Sequence, residues 1–145
     1  GKTIYANNYA ESEIRAWLND TFYNTAFSDL QKSVIETVTV DNSAASTGYD
    51  SNFYACADTN DKIWLLSYKE AFNKYFNSNS ARQKKSSDYA KSQGCRASTS
   101  WWLRSPYYYY SHDVRSVDDD GDYDNLCGVG STDSGVVPAL KIKLS

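Results

Sequence analysis

The stretch "SPYYYYSHDVRSVDDDGDYDNLCGVGSTDSG", Ser105 to Gly135, narrows what this chain can fold into more than any other part of it. Just before it, Trp101-Trp102-Leu103-Arg104 reads as a core strand. Just after it, Leu140, Ile142 and Leu144 alternate with Lys141 and Lys143, the pattern of a half-buried strand with one wet face. Between them Val114 and Val117 are separated by polar residues, and Asp120-Gly121 is a favoured tight hairpin turn. The region predicts a small antiparallel sheet whose loops and hairpins are the quoted stretch. Neighbouring side chains on a strand point to opposite faces. The run Tyr107–Tyr110 therefore cannot all be buried, and at least two of the four should face solvent or a partner.

The N-terminal two thirds reads as helices with short connecting strands. Ser12 can cap a helix whose Ile14, Trp17, Leu18 and Phe22 share one face. Ser28-x-x-Gln31, followed by Leu30, Val34 and Ile35, and Ser67-x-x-Glu70, followed by Phe72, Tyr75 and Phe76, are capping-box patterns. Ile63-Trp64-Leu65-Leu66 reads as a buried strand. Ser87–Gln93 can form a short helix, with Gly94 as a left-handed cap. Asn42–Asn60 reads as a surface loop and Asn77–Ser87 as a mobile polar segment. The predicted class is α+β, and the 145 residues suit one domain, 1–145, with a real core.

Nineteen of the twenty-eight residues from Tyr107 to Ser134 are Tyr, His, Asp, Ser, Thr or Asn. Each of these is Asn or lies one adenine change from an Asn codon. Gly, Cys, Val, Leu and Arg follow if both adenines change, whereas Lys, Glu, Gln, Met and Trp are unreachable and do not occur there. The chemistry points the same way without the genetics. Tyr offers large, rigid contact area and a hydroxyl, while Ser, Asn, Asp and Gly offer adaptable polar contacts, the mixture that antibody paratopes use. Clustered exposed Tyr suits the middle of an interface.

Charge and cysteine usage exclude several classes. A formal net charge of −3 gives no nucleic-acid footprint. Tyr107–Ser134 holds seven Asp and one Arg, an acidic patch on a mildly basic body that attracts cationic groups. Cys56, Cys95 and Cys127 lack metal-ligand spacing, and with a single His a structural zinc is not expected. They read as reduced thiols, with a Cys56–Cys95 bridge open if the protein is exported. No run approaches the ~18 apolar residues of a membrane span, and no signal peptide is read. The start at Gly1 reads as a boundary or a processed end and leaves export open.

The segments "SEIRAWLNDTFYNTAF", "KIWLLSYKEAF", "SSDYAKSQG", "SWWLRSP" and "GVVPALKIKL" resemble a bacterial and phage family, from about Ile4 to Leu144. These are variable proteins with a C-type lectin fold, diversified by diversity-generating retroelements, in the branch similar to formylglycine-generating enzymes. The closing motif often carries Arg where this chain has Val137, and a strand often precedes the "IRAWLN" helix. The resemblance implies a C-type-lectin-like fold and adenine-directed variation across about 105–135. It also implies a receptor- or adhesin-type role outside the cell, on its surface or on a phage particle. Trp101, Trp102, Leu103, Arg104, Pro138, Ala139 and Leu140 would then be scaffold. Arg104 reads as structural, in an ion pair or on backbone carbonyls. The candidate binding residues are Tyr107, Tyr108, Tyr109, Tyr110, Ser111, His112, Asp113, Asp118, Asp119, Asp122, Tyr123, Asp124, Asn125, Ser131 and Asp133.

Three other functions compete with this reading. The related oxidases use a pair of cysteines, but only Cys127 lies near the expected site and no nucleophile–base pattern appears, so no enzyme and no cofactor is predicted. Calcium stays open for the "DDDGDYD" segment, although placing Gly121 sixth in an EF-hand loop puts Ser116 first and Cys127 twelfth. A calcium-assisted carbohydrate lectin also stays open. A broad Tyr-rich face favours a protein ligand over a sugar.

Overall fold

Side-chain caps at Ser12, Ser28 and Ser67 stand where the sequence places them, whereas the short helix capped by Ser78 falls in the segment read as mobile. In the computed structural model, which describes residues 3–144, Ser12 accepts from the Arg15 amide at the start of α1, Glu13–Trp17. A π-type turn, Leu18–Phe22, links α1 to α2, Tyr23–Ala26. Ser28 and Gln31 form a reciprocal capping box on α3, Asp29–Lys32. Ser67 and Glu70 do the same ahead of the turn Glu70–Lys74, each donating its amide to the other's side chain at 2.9 and 3.2 Å. Ser78 caps α4, Asn79–Arg82, and Ser87 caps α5, Asp88–Ser92, after which Gly94 takes a φ of 93°. Capping of this kind is worth about 1 kcal/mol per helix.

The strands make three small antiparallel sheets. β1, Val38–Val40, pairs with β2, Thr59–Asp61. β3, Trp64–Leu65, pairs with β7, Pro138–Ala139. β4, Trp101–Pro106, β5, Asp113–Val117, and β6, Tyr123–Gly128, form a meander in that order. The chain is thus a small α+β domain. The segment Ile63-Trp64-Leu65-Leu66 is wholly buried, as expected. Two apolar groups flank it. Leu18, Tyr23, Ile35, Val40 and Ile63 pack with Trp64 and Leu65, while Trp101, Leu103 and Val117 pack with Leu66 and Ala71. A fully buried side chain of this size contributes about 1.5–3 kcal/mol.

Several expectations need correction. Leu18 is fully buried while Trp17, expected beside it, is 42% exposed, with its ring 5.1 Å from Phe22. Of the residues after the first capping box only Ile35 is buried, and Leu30 stands in solvent. Tyr75 is likewise exposed. Asn42–Asn60 is no free loop: it holds a 3₁₀ turn, Ala44–Thr47, and buries Asn42, Ser46, Thr47 and Asn52. Asn77–Ser87 is pinned by the buried Arg82. The C-terminal alternation does not make a half-buried strand. It touches the Val34–Glu36 backbone at one bridge, Ile35 to Ile142, and leaves Ile142 and Leu144 at 52% and 88% exposed. Among the described residues only Leu140 of its apolar side packs on the core. Cys56, Cys95 and Cys127 are all free, so the Cys56–Cys95 bridge is absent. No described helix is long and apolar enough to cross a membrane.

Candidate ligand-binding face

Trp101 and Trp102 show how β4 divides its two faces. Trp101 is buried at 1% exposure, and its indole nitrogen donates to the Arg82 carbonyl at 3.1 Å. Trp102 points the other way and donates to Cys127 Sγ at 2.9 Å. Arg104 is held on all sides, donating to Asn42 Oδ1 at 3.0 Å, to the Leu65 carbonyl at 2.7 Å, to the Asp41 carbonyl at 2.8 Å, and to Glu70. Both readings offered for it hold at once: an ion pair and carbonyl acceptors.

Beyond Pro106 the chain turns through the tyrosines. Tyr109 and Tyr110 are 61% and 50% exposed and Tyr107 and Tyr108 half-buried, so two of the four face solvent, but through a turn and not through strand alternation, since β4 ends at Pro106. The Tyr107 ring touches the other three with centroids 5.1, 5.5 and 6.0 Å away. Tyr108 lies between Tyr49 and Tyr109, at 3.9 and 3.8 Å. The Tyr109 hydroxyl first, then partial burial and the Tyr49 hydroxyl, hold the Tyr108 phenol above the ordinary tyrosine value.

The remaining candidates divide by location. Ser111 is half-buried and His112 exposed, its ring 5.8 Å from Tyr110. Asp113 is the exception to an outward display: it opens β5 and is buried, so it does not belong to the exposed set. Asp118, Asp119, Asp122 and Tyr123 are exposed around the β5–β6 turn, with Asp124 and Asn125 half-buried behind them. Burial first, then the charges of Asp124, Asp120 and Asp119, hold the Asp118 carboxyl above its usual range. Ser131 and Asp133 lie on the loop after β6. The pairing of Val117 with Trp101 on one side and Tyr123 on the other sets the aspartate turn at the opposite end of the sheet from the tyrosine turn.

Residues of the sheet's middle join the two ends. Arg115, at the centre of β5, lies with its guanidinium carbon 3.3 Å from the Tyr68 ring centre and 5.4 Å from those of Tyr49 and Tyr123. From Tyr109 through Tyr108, Tyr49 and Arg115 to Tyr123, the contacts are continuous.

The loops are gripped by their backbones. Asn52 Nδ2 donates to the Pro106 carbonyl at 2.9 Å. Asn7 Nδ2 donates to the carbonyls of Tyr110 and Asp113, at 2.9 and 3.0 Å, and its amide donates to the Ser111 carbonyl at 3.0 Å. Arg82 Nε donates to the Gly121 carbonyl at 2.8 Å, and Thr99 Oγ1 to that of Asp133 at 2.6 Å. Every one of these donors lies outside 105–135, and every acceptor is a carbonyl within it. Such bonds do not depend on which side chain the loop carries. Sequence reasoning missed Asn7, Asn52, Arg82, Tyr49 and Tyr68, since nothing local marks an asparagine that reaches across the fold. Arg115 did carry a signal, as the one cation in the acidic stretch.

A small α+β domain that presents aromatic rings on carbonyl-held loops is the class these features define. Residues 1–144 match the family described as a domain of unknown function, DUF6273, and the chain belongs to that family. No curated protein matches the chain. No solved structure matches it either.

Proposed function

We propose that the chain is a non-enzymatic ligand-binding domain of C-type-lectin-like fold, whose face over about 105–135 is diversified by adenine-directed mutagenesis from a retroelement. The observation that carries this reading is the set of carbonyl-directed grips from Asn7, Asn52, Arg82 and Thr99. A loop fixed through its carbonyls keeps its path while its side chains change. The exposed tyrosines and the narrow alphabet support the same reading, with a protein as the favoured ligand.

Two experiments test it. Sequencing the DNA beside the gene should reveal a near-copy of the last third with Asn codons at the exposed positions, next to a reverse transcriptase. A neighbourhood without that copy removes the diversification. Second, the paired change Tyr109→Ala and Tyr110→Ala should move stability by less than ~0.5 kcal/mol. Binding to the cognate surface should fall by ~2 kcal/mol for each tyrosine that is a hot spot. Loss of folding in that variant would assign both rings to the core.

A further inference from the structure

The aromatic face has a cation at its centre that the domain itself does not neutralise. Arg115 is buried at 3% exposure. Among the described residues its Nη1 donates to the Thr47 carbonyl at 2.7 Å, and the Tyr68 phenol is the other polar group that favours its charge at close range. Its Nε is buried with no partner. Among the described residues no carboxylate forms an ion pair with it. Tyr68, Tyr49 and Tyr123 surround it instead. A buried donor of this kind is costly to leave unmade, and rings offset only part of that cost.

The geometry points to a carboxylate subsite at Arg115, in which an acidic group of the ligand takes the unpaired edge of the guanidinium between Tyr49, Tyr68 and Tyr123. This deepens the ligand-binding reading and rests on it. With Nη1 committed to Thr47, the Nε edge is the part left to donate, and that fork fits the two oxygens of a carboxylate. Gly48 lets Arg115 and Tyr68 pack directly on its backbone: a Cβ there would lie 2.7 Å from Arg115 Nη1 and 2.6 Å from Tyr68. Tyr123 is half exposed and is the wall that turns aside, since surface rings change rotamer within nanoseconds. The aspartate turn sets the complementary limit. It repels a polyanion, so the fitting partner presents an isolated carboxylate, from a Glu or Asp side chain or from a chain terminus.

The test is a nuclear magnetic resonance titration of the whole chain with sodium acetate, followed at the Arg115 Nε–H and matched against sodium chloride of equal ionic strength. Saturable movement of that resonance and of the Tyr68 and Tyr123 ring signals, with acetate alone, is the expected result. Arg115→Lys, which keeps the charge and loses the fork, should weaken the response at least tenfold. N-acetylglutamate amide and a glycylglycine free acid then separate side-chain from terminal carboxylates, and a saturable response to either supports the subsite. Equal responses to acetate and chloride overturn it, as does sulfate binding ten times more tightly than acetate. If the lysine variant fails to fold, the wild-type titration decides alone. A flat acetate titration with tyrosine-dependent ligand capture intact sinks the subsite and spares the binding face. Capture that ignores Tyr109→Ala and Tyr110→Ala sinks the binding face itself.

Discussion

The surroundings of Arg104 and Arg115, on neighbouring strands, solve the burial of a guanidinium in opposite ways. Around Arg104 the domain supplies Glu70, Asn42 and two carbonyls, so the side chain ties β4 to β3 and to the end of β1. Around Arg115 it supplies one carbonyl and a wall of rings. Burial therefore lowers the Arg115 pKa, with the phenols of Tyr68, Tyr49 and Tyr123 opposing that shift. One region is closed and self-sufficient, and the other keeps unmet hydrogen-bonding capacity. The first is a framework, and the second has the unfinished chemistry of a surface that meets something else.

The largest effect should come from breaking the closed side. Arg104→Met leaves Glu70 and three other acceptors without their donor and should cost ~3–5 kcal/mol in denaturant unfolding. Arg115→Met strands a single carbonyl and should cost ~1–2 kcal/mol. Equal losses would erase the distinction. Trp101→Ala should also cost ~3–5 kcal/mol, and Trp102→Ala, whose ring is only half-buried, distinctly less. A calorimetric ranking with Trp102 above Trp101 would reverse the two faces of β4.

Smaller effects sharpen the comparison. Asn52→Ala removes the grip on Pro106 and should cost ~1–3 kcal/mol, with faster amide exchange confined to the tyrosine turn. Exchange unchanged there would show that the turn holds itself. The weakest effect concerns Asp118, whose carboxyl is held above its usual range. A raised acid costs stability above the raised value and nothing below the ordinary one. Asp118→Asn should therefore raise the melting temperature slightly near pH 7 and leave it unchanged near pH 3 (about one unit below the ordinary Asp value). A gain of equal size at both values would mean that charge is not the cause.

The sequence made the local features legible and hid the long-range ones. Caps at Ser12, Ser28, Ser67 and Ser87 were readable because cap and helix are adjacent in the chain. So were the core strand at Trp101 and the turn at Asp120-Gly121, where composition and backbone demand coincide. Trp17 misled because helical spacing places it on the apolar face without saying how far burial extends around that face. Ile142 and Leu144 misled because alternation signals a strand with one covered face, and the cover ends at Leu140. That some of the tyrosines would stand in solvent was legible, although the turn after β4 exposes them and not the strand alternation assumed. The supports of that turn were not, since Asn7 meets Asp113 across 106 residues of chain. A hydrogen bond to a carbonyl leaves no complementary residue type to read.

Gly121 fixes a boundary for anyone who would build new binders on this domain. Its φ is 87°, and a side chain there would overlap the carbonyl oxygen of Asn79 in α4. A combinatorial library over the acidic turn can be randomised at Asp118, Asp119 and Asp122 but has to hold this glycine constant. Members that replace it should be lost for want of folding, before any target is offered.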